Sequence, residues 1–146
     1  MVFRFDPTTE GATLAASEEA VARAFPDVPE ISAGRIPTDA LVYDVREKAE
    51  YDVSHIPGAI HVKPGEIPDP GAVPDGRVIV CACSVGLRSA KLAASLRERG
   101  WTGAVNLRGG LFRWATEGRV MVNAAGPTSD VHPFDERWGR LLNEGA

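Results

Sequence analysis

The chain has 146 residues, 44% of them hydrophobic, and a formal charge of -4, which suits one compact domain with a real core and not two. No basic stripe or run of like charge offers a nucleic-acid surface, and no apolar stretch reaches the ~18–20 residues that span a bilayer, so neither nucleic acid nor membrane is an expected partner. Two cysteines separated by one residue, Cys81 and Cys83, make a poor disulfide framework; with no uninterrupted apolar segment near Met1, a cytoplasmic protein with reduced thiols is expected.

In chain order, residues 1–11 read as an irregular lead-in. The stretch Ala12–Phe25 is rich in helix formers, with Ser17 and the two glutamates after it as a capping signal, and Pro26 and Pro29 close it. Leu41–Val45 reads as a short buried strand, Arg46–Tyr51 as a helical turn, and His55–Val62 as a turn leading into a second strand. Pro64–Gly76, with four prolines, is a loop or a broken short helix. Val78–Cys83 is the clearest strand, residues 88–99 form a helix stopped by Gly100, and Ala104–Leu107 is another strand. Gly109–Thr116 follows as a last core helix, Val120–Val122 as a short strand, and Pro133–Leu142 carries Phe134, Trp138, Leu141 and Leu142 at helical spacing. Strands alternating with helices on short connections predict an α/β fold: a mostly parallel sheet covered on both faces.

The stretch Val78–Ser89 carries the chemistry. A buried strand ending in a thiol and turning at once into a helix places that thiol among free backbone N–H groups, at the positive end of the helix dipole. Such surroundings favour the thiolate, the attacking form, which makes Cys83 the candidate nucleophile. Cys81, two residues earlier on the same sheet face, reads as a core residue and not as a resolving thiol. No second cysteine or histidine pair accompanies them, so no metal site and no cofactor are expected.

Five blocks then fall in order: Asp44-Val-Arg-Glu47, Glu50-Tyr51, His55-Ile-Pro-Gly-Ala59, Cys83-x-x-Gly86-x-Arg88-Ser89, and Asn106-Leu-Arg-Gly-Gly-Leu-Phe-Arg-Trp114. Together they resemble the single-domain rhodaneses, a sulfurtransferase family, over roughly residues 38–118. The resemblance implies a five-stranded parallel sheet flanked by helices. It also implies a reaction in which the loop cysteine takes a sulfane sulfur and passes it to a thiophilic acceptor. Related phosphatases and arsenate reductases carry one residue more between cysteine and arginine; four separate Cys83 from Arg88 here, and the smaller ring suits sulfur.

On that expectation, Cys83 attacks the terminal sulfur of thiosulfate or of a persulfide donor, and cyanide, a small thiol or a protein cysteine later removes it. Convergent amides from Ser84 to Ser89 hold the anionic persulfide. Gly86 allows a positive φ, Arg88 supplies positive charge, and Ser89 can cap the next helix. Arg88 has two open roles: lining the loop, or pairing with Asp44 or Glu50 to hold its shape. Asp44 and Arg46 are expected to organise the loops at the strand's carboxyl end. The loop side chains Ser84, Val85 and Leu87 are neutral, which disfavours a dianion and makes a low-charge persulfide or a protein donor a strong competitor to thiosulfate. The chain divides into a lead-in and helix at 1–37, a core at 38–118 and a tail at 119–146. The rival function is a non-enzymatic persulfide carrier for a desulfurase-type partner.

Overall fold

A computed structural model describes residues 3–71 and 76–144. The expected loop at 64–76 is irregular through residue 71, and its positions 72–75 lie outside the described residues.

Helix α1 spans Leu14–Ala24. Its cap is Thr13, whose side chain accepts from the Ala16 amide at 3.1 Å; the expected cap, Ser17, is instead buried in the helix with its hydroxyl turned back to the Leu14 carbonyl. Strand β1 (Glu30–Ile31) and β2 (Leu41–Asp44) follow, then α2 (Lys48–Val53), β3 (Ile60–His61) and β4 (Ile79–Ala82). Next come α3 (Leu87–Glu98), β5 (Ala104–Leu107), α4 (Gly110–Thr116), the strands β6 (Met121–Asn123) and β7 (Gly126–Thr128), and α5 (Glu136–Glu144).

The five-stranded sheet has the order β1-β5-β4-β2-β3, and every pairing in it is parallel. The fifth strand is β1, which extends the sheet upstream of residue 38 by pairing Glu30 with Asn106 and Ile31 with Leu107. The expected strand at 120–122 does not join it. Val122 pairs with Pro127 in a separate antiparallel hairpin, which is tied to the body by reciprocal bonds of 2.9 Å between the backbones of His55 and Val122.

Central β4 is buried along its whole length, as its unbroken Ile-Val-Cys-Ala run requires of a strand covered on both sides. On one face Ile79 and Cys81 pack with Leu92, Ala93 and Leu96 of α3; on the other Val80 and Ala82 pack with Leu111 of α4. The connections leaving β2 and β4 thus run to opposite faces: Tyr51 of α2 packs with the second cluster and α3 with the first. Between two such neighbouring strands, a crevice opens at their carboxyl ends. Asp44 ends β2 there, and Cys83 follows the last residue of β4.

A third apolar cluster unites Leu14 of α1, Val85, Phe112 and Leu141 of α5, with Phe5 and Trp138 against it. It seats the C-terminal helix directly beside the β4–α3 turn.

Candidate active site

Cys83 is buried, yet its sulfur meets a turn of donors. The amide of Gly86 lies 3.2 Å from Sγ, that of Ser89 3.4 Å, and the Ser89 hydroxyl 3.3 Å. Gly86 achieves this at φ +110, ahead of the first turn of α3. A side chain there would press on the Asn106 amide and meet strain from the backbone itself. Leu87 and Arg88 open α3, where amides lack a carbonyl four residues back.

The amides can turn inward because the carbonyls are held outward. Those of Cys83 and Ser84 accept from the Leu111 and Phe112 amides, at 2.8 and 3.0 Å. The first turn of α4 therefore docks on the back of the loop. The approach requires Gly110, since a Cβ at that position would sit 2.2 Å from the Cys83 carbonyl oxygen.

Asn106 fastens the loop from β5. Its Nδ2 donates to the Gly86 carbonyl at 3.0 Å, so its Oδ1 must accept from the Ser89 hydroxyl at 2.6 Å. The single Ser89 proton has two acceptors in reach, the Asn106 oxygen at 2.6 Å and the sulfur at 3.3 Å. Ser89 thus does not cap α3, the role expected of it: it lies inside the helix, and Gly86 occupies the cap. Asn106 stood in a recognised block without a role. A buried amide in the middle of the apolar strand Ala104-Val-Asn-Leu107 was its signal.

The two open roles of Arg88 resolve into one geometry. Its guanidinium makes a two-pronged pair with Glu50, at 2.8 and 3.1 Å, and also donates to the Ser84 hydroxyl at 2.8 Å; Ser84 in turn donates to Glu50 at 3.0 Å. Burial alone would raise the Glu50 carboxyl, but Arg88, the Glu47 amide and Ser84 outweigh it and hold it below its ordinary value. Burial likewise works against the Arg88 charge, and the pair with Glu50 raises its pKa regardless. Arg88 therefore borders the sulfur site as half of a neutral pair, and its partner is not Asp44.

Asp44 instead grips Arg46 through three bonds of 2.8–3.2 Å, both side chains being fully buried. Arg46 carries on to the Ser54 carbonyl at 2.6 Å and so ties the β2–α2 connection to the far end of α2, the helix that bears Glu50. Neither reaches Cys83. Among the histidines, His55 stacks on Tyr51, His61 bonds the Arg46 carbonyl, and His132 accepts from the Phe134 amide; none of these contacts involves Cys83. Cys81 is fully buried in the core, and burial, with Cys83 nearby, pushes its thiol up to about 12.

A cavity of about 120 Å³ leads to the sulfur, lined by Cys83, Ser84, Val85, Leu87, Arg88, Phe134 and Trp138. The last two come from the C-terminal segment; the amphipathic spacing of 133–142 was visible in the sequence, but not that it would lean over Cys83. Among the described residues, no group of three or more metal-ligating side chains gathers anywhere.

Chemically, a sulfur with amides aimed at it can carry an extra anionic atom, because the donors are already in place. Comparison with known proteins agrees with the order of motifs: the model of the rhodanese-like domain matches residues 29–117, so Phe134 and Trp138 lie beyond the match. A tRNA sulfurtransferase of Thermoplasma acidophilum is 41% identical over 70 residues, covering 47% of this chain and only 14% of that protein. A sulfurtransferase of Allochromatium vinosum is 35% identical over 89 residues, 60% of this chain and 83% of that one. A Bacillus subtilis protein named putative sulfur carrier protein YrkF is 31% identical over 74 residues, 50% of this chain and 40% of its own length. The crystal structure of a rhodanese-like domain protein from Staphylococcus aureus superposes with a TM-score of 0.51 at 26% identity, covering 60% of this chain and 91% of that one.

Proposed function

The chain belongs to the rhodanese-like domain family, and from that premise we propose that it is a sulfurtransferase working through a persulfide on Cys83. In the first half-reaction the Cys83 thiolate bonds to the terminal sulfur of thiosulfate or of a persulfide donor. The old sulfur–sulfur bond breaks, and its electron pair leaves with sulfite or with the donor thiolate. In the second, an acceptor thiolate or cyanide takes the outer sulfur and frees Cys83. The single observation that carries this reading is the pair of amides, Gly86 and Ser89, trained on Sγ. With the open first turn of α3, they supply donors for the charge of the outer sulfur. Both thiols are unpaired, which suits a reducing compartment such as the cytoplasm.

A carrier role is the second reading, favoured by the likeness to a protein named as a sulfur carrier. There Cys83 would receive sulfur from a protein donor and surrender it only to a partner. Steady-state turnover of thiosulfate with cyanide separates the two. Sustained turnover supports the enzyme; a persulfide on Cys83 without turnover supports the carrier. Hydrolysis of an aryl phosphate would instead point to a phosphatase, which the four-residue spacing disfavours.

A further inference from the structure

The cavity over Cys83 is roofed by a segment that the transfer chemistry does not require. Leu141 anchors α5 by full burial against Leu14, Val85 and Phe112. Trp138, the preceding turn of the same helix, packs on Phe5 at 5.6 Å and lines the cavity wall. Phe134 is held differently. Its backbone is left-handed, at φ +69, which a side chain with a β-carbon resists. Its ring lies 4.8 Å from the Arg88 guanidinium and remains 45% exposed. A strained residue with a half-open aromatic ring is poorly explained as core filling, a job Leu141 already does. It is explained by a ring that must face the mouth of the cavity.

The walls also define a charge preference. Val85, Leu87, Phe134 and Trp138 are apolar or aromatic, and the one cation lining the cavity among the described residues, Arg88, is already paired with Glu50. A dianion such as thiosulfate would enter without a free countercharge and lose hydration against apolar walls. A donor with one charge and a small apolar body would keep its anionic sulfur at the amides and rest its body on the rings. The volume is fitting: a cavity of ~150 Å³ takes benzene, and this one holds about 120 Å³ and opens outward.

We infer that Phe134 and Trp138 are specificity-determining residues that select singly charged sulfane-sulfur donors with a small apolar body, such as organic thiosulfonates and alkyl or aryl persulfides, over thiosulfate. The inference rests on the sulfurtransferase reading. With an organic thiosulfonate, the Cys83 thiolate bonds to the terminal sulfur, and the bond from that sulfur to the sulfonyl group breaks. Its electron pair leaves on the sulfinate, and Cys83 remains as a persulfide anion. One sulfur–sulfur bond replaces another, so no external oxidant is needed.

The test measures sulfur loading of Cys83 by benzenethiosulfonate and by thiosulfate, in the native chain and in Phe134→Ala, Phe134→Leu and Trp138→Ala. The ratio of kcat/KM for the aryl donor to that for thiosulfate should fall roughly tenfold or more in Phe134→Ala, as when a hydrophobic pocket contact is lost. The loss should appear in KM, and Phe134→Leu should recover part of it. Phe134 is half-exposed, so its variants retain the fold even if Trp138→Ala does not. An unchanged ratio, or an equal fall for both donors as expected from a merely loosened loop, overturns the inference and leaves the sulfurtransferase reading standing. Failure of both donors to load the native Cys83 overturns both.

Discussion

Replacing Glu50 with glutamine tests how the loop is held. Its carboxylate accepts two bonds from Arg88, one from Ser84 and one from the Glu47 amide. Glutamine keeps the shape and one acceptor oxygen, but turns an NH2 group toward donors and leaves Arg88 without a countercharge. Breaking a fully buried pair costs ~3–5 kcal/mol. The Arg88 side chain keeps 28% of its surface exposed, so water offsets part of the loss and about 2 kcal/mol is expected. For a chain of this size that lowers Tm by roughly 4–8 °C. The effect must also depend on pH. The Glu50 carboxyl lies below its ordinary value of 4.5, so its contribution is complete above that pH and fades as pH falls through the lowered folded value. Thermal unfolding of both forms across pH should therefore show a constant gap near neutrality that narrows on acidification. The same variant should load sulfur more slowly, because Ser84 and Arg88 lose their common tether. Equal Tm values, or a gap indifferent to pH, would refute this account of the Arg88–Glu50–Ser84 cluster.

Other substitutions probe the remaining supports. Asn106→Leu leaves the Gly86 carbonyl and the Ser89 hydroxyl without their partner, and should cost about 1–3 kcal/mol in urea unfolding and slow the loading of Cys83; unchanged values for both would remove Asn106 from the supporting frame. Gly110→Ala forces a Cβ against the Cys83 carbonyl at φ +55, so it should lose about 3 kcal/mol or more, against about 1 kcal/mol for Gly118→Ala, whose surroundings are open. Equal calorimetric losses for these two glycines would contradict the tight docking of α4. Cys81→Ala should keep most of its sulfur loading and lose about 1 kcal/mol, whereas lost loading in a folded variant would make Cys81 a chemical participant.

The parts legible in the sequence are those whose determinants lie close together in it. The run of Val78 to Cys83, Gly86 four residues from the strand, and the helix formers after it specify strand, turn and helix within twenty positions, and the parallel sheet follows from alternation. Where the determinants are distant, the sequence left alternatives. Arg88 and Glu50 are 38 residues apart, and only folding chooses Glu50 over Asp44. Ser89 has good capping chemistry, yet α3 begins at Leu87, so Ser89 lies inside the helix and its hydroxyl bonds the Asn106 oxygen from β5. Strand β1 is two residues set among prolines, too short for any periodicity, and exists because β5 offers an edge to pair with. Ser17 lost the cap to Thr13 because the helix begins one turn earlier, where Leu14 can be buried. The tail displayed its amphipathic spacing, but the surface it would cover is formed by Val85 and Phe112, which the sequence does not bring together until the loop is built.

The central claim is that Cys83 carries the transferred sulfur. Intact-mass measurement after incubation with a sulfane donor and removal of excess reagent tests it directly, on the native chain, Cys81→Ala and Cys83→Ser. An adduct of one sulfur atom on the first two, released by added thiol or cyanide and missing from a folded Cys83→Ser, is the expected result. The same adduct persisting on Cys83→Ser, or its absence from the native chain with every donor tried, would contradict the account.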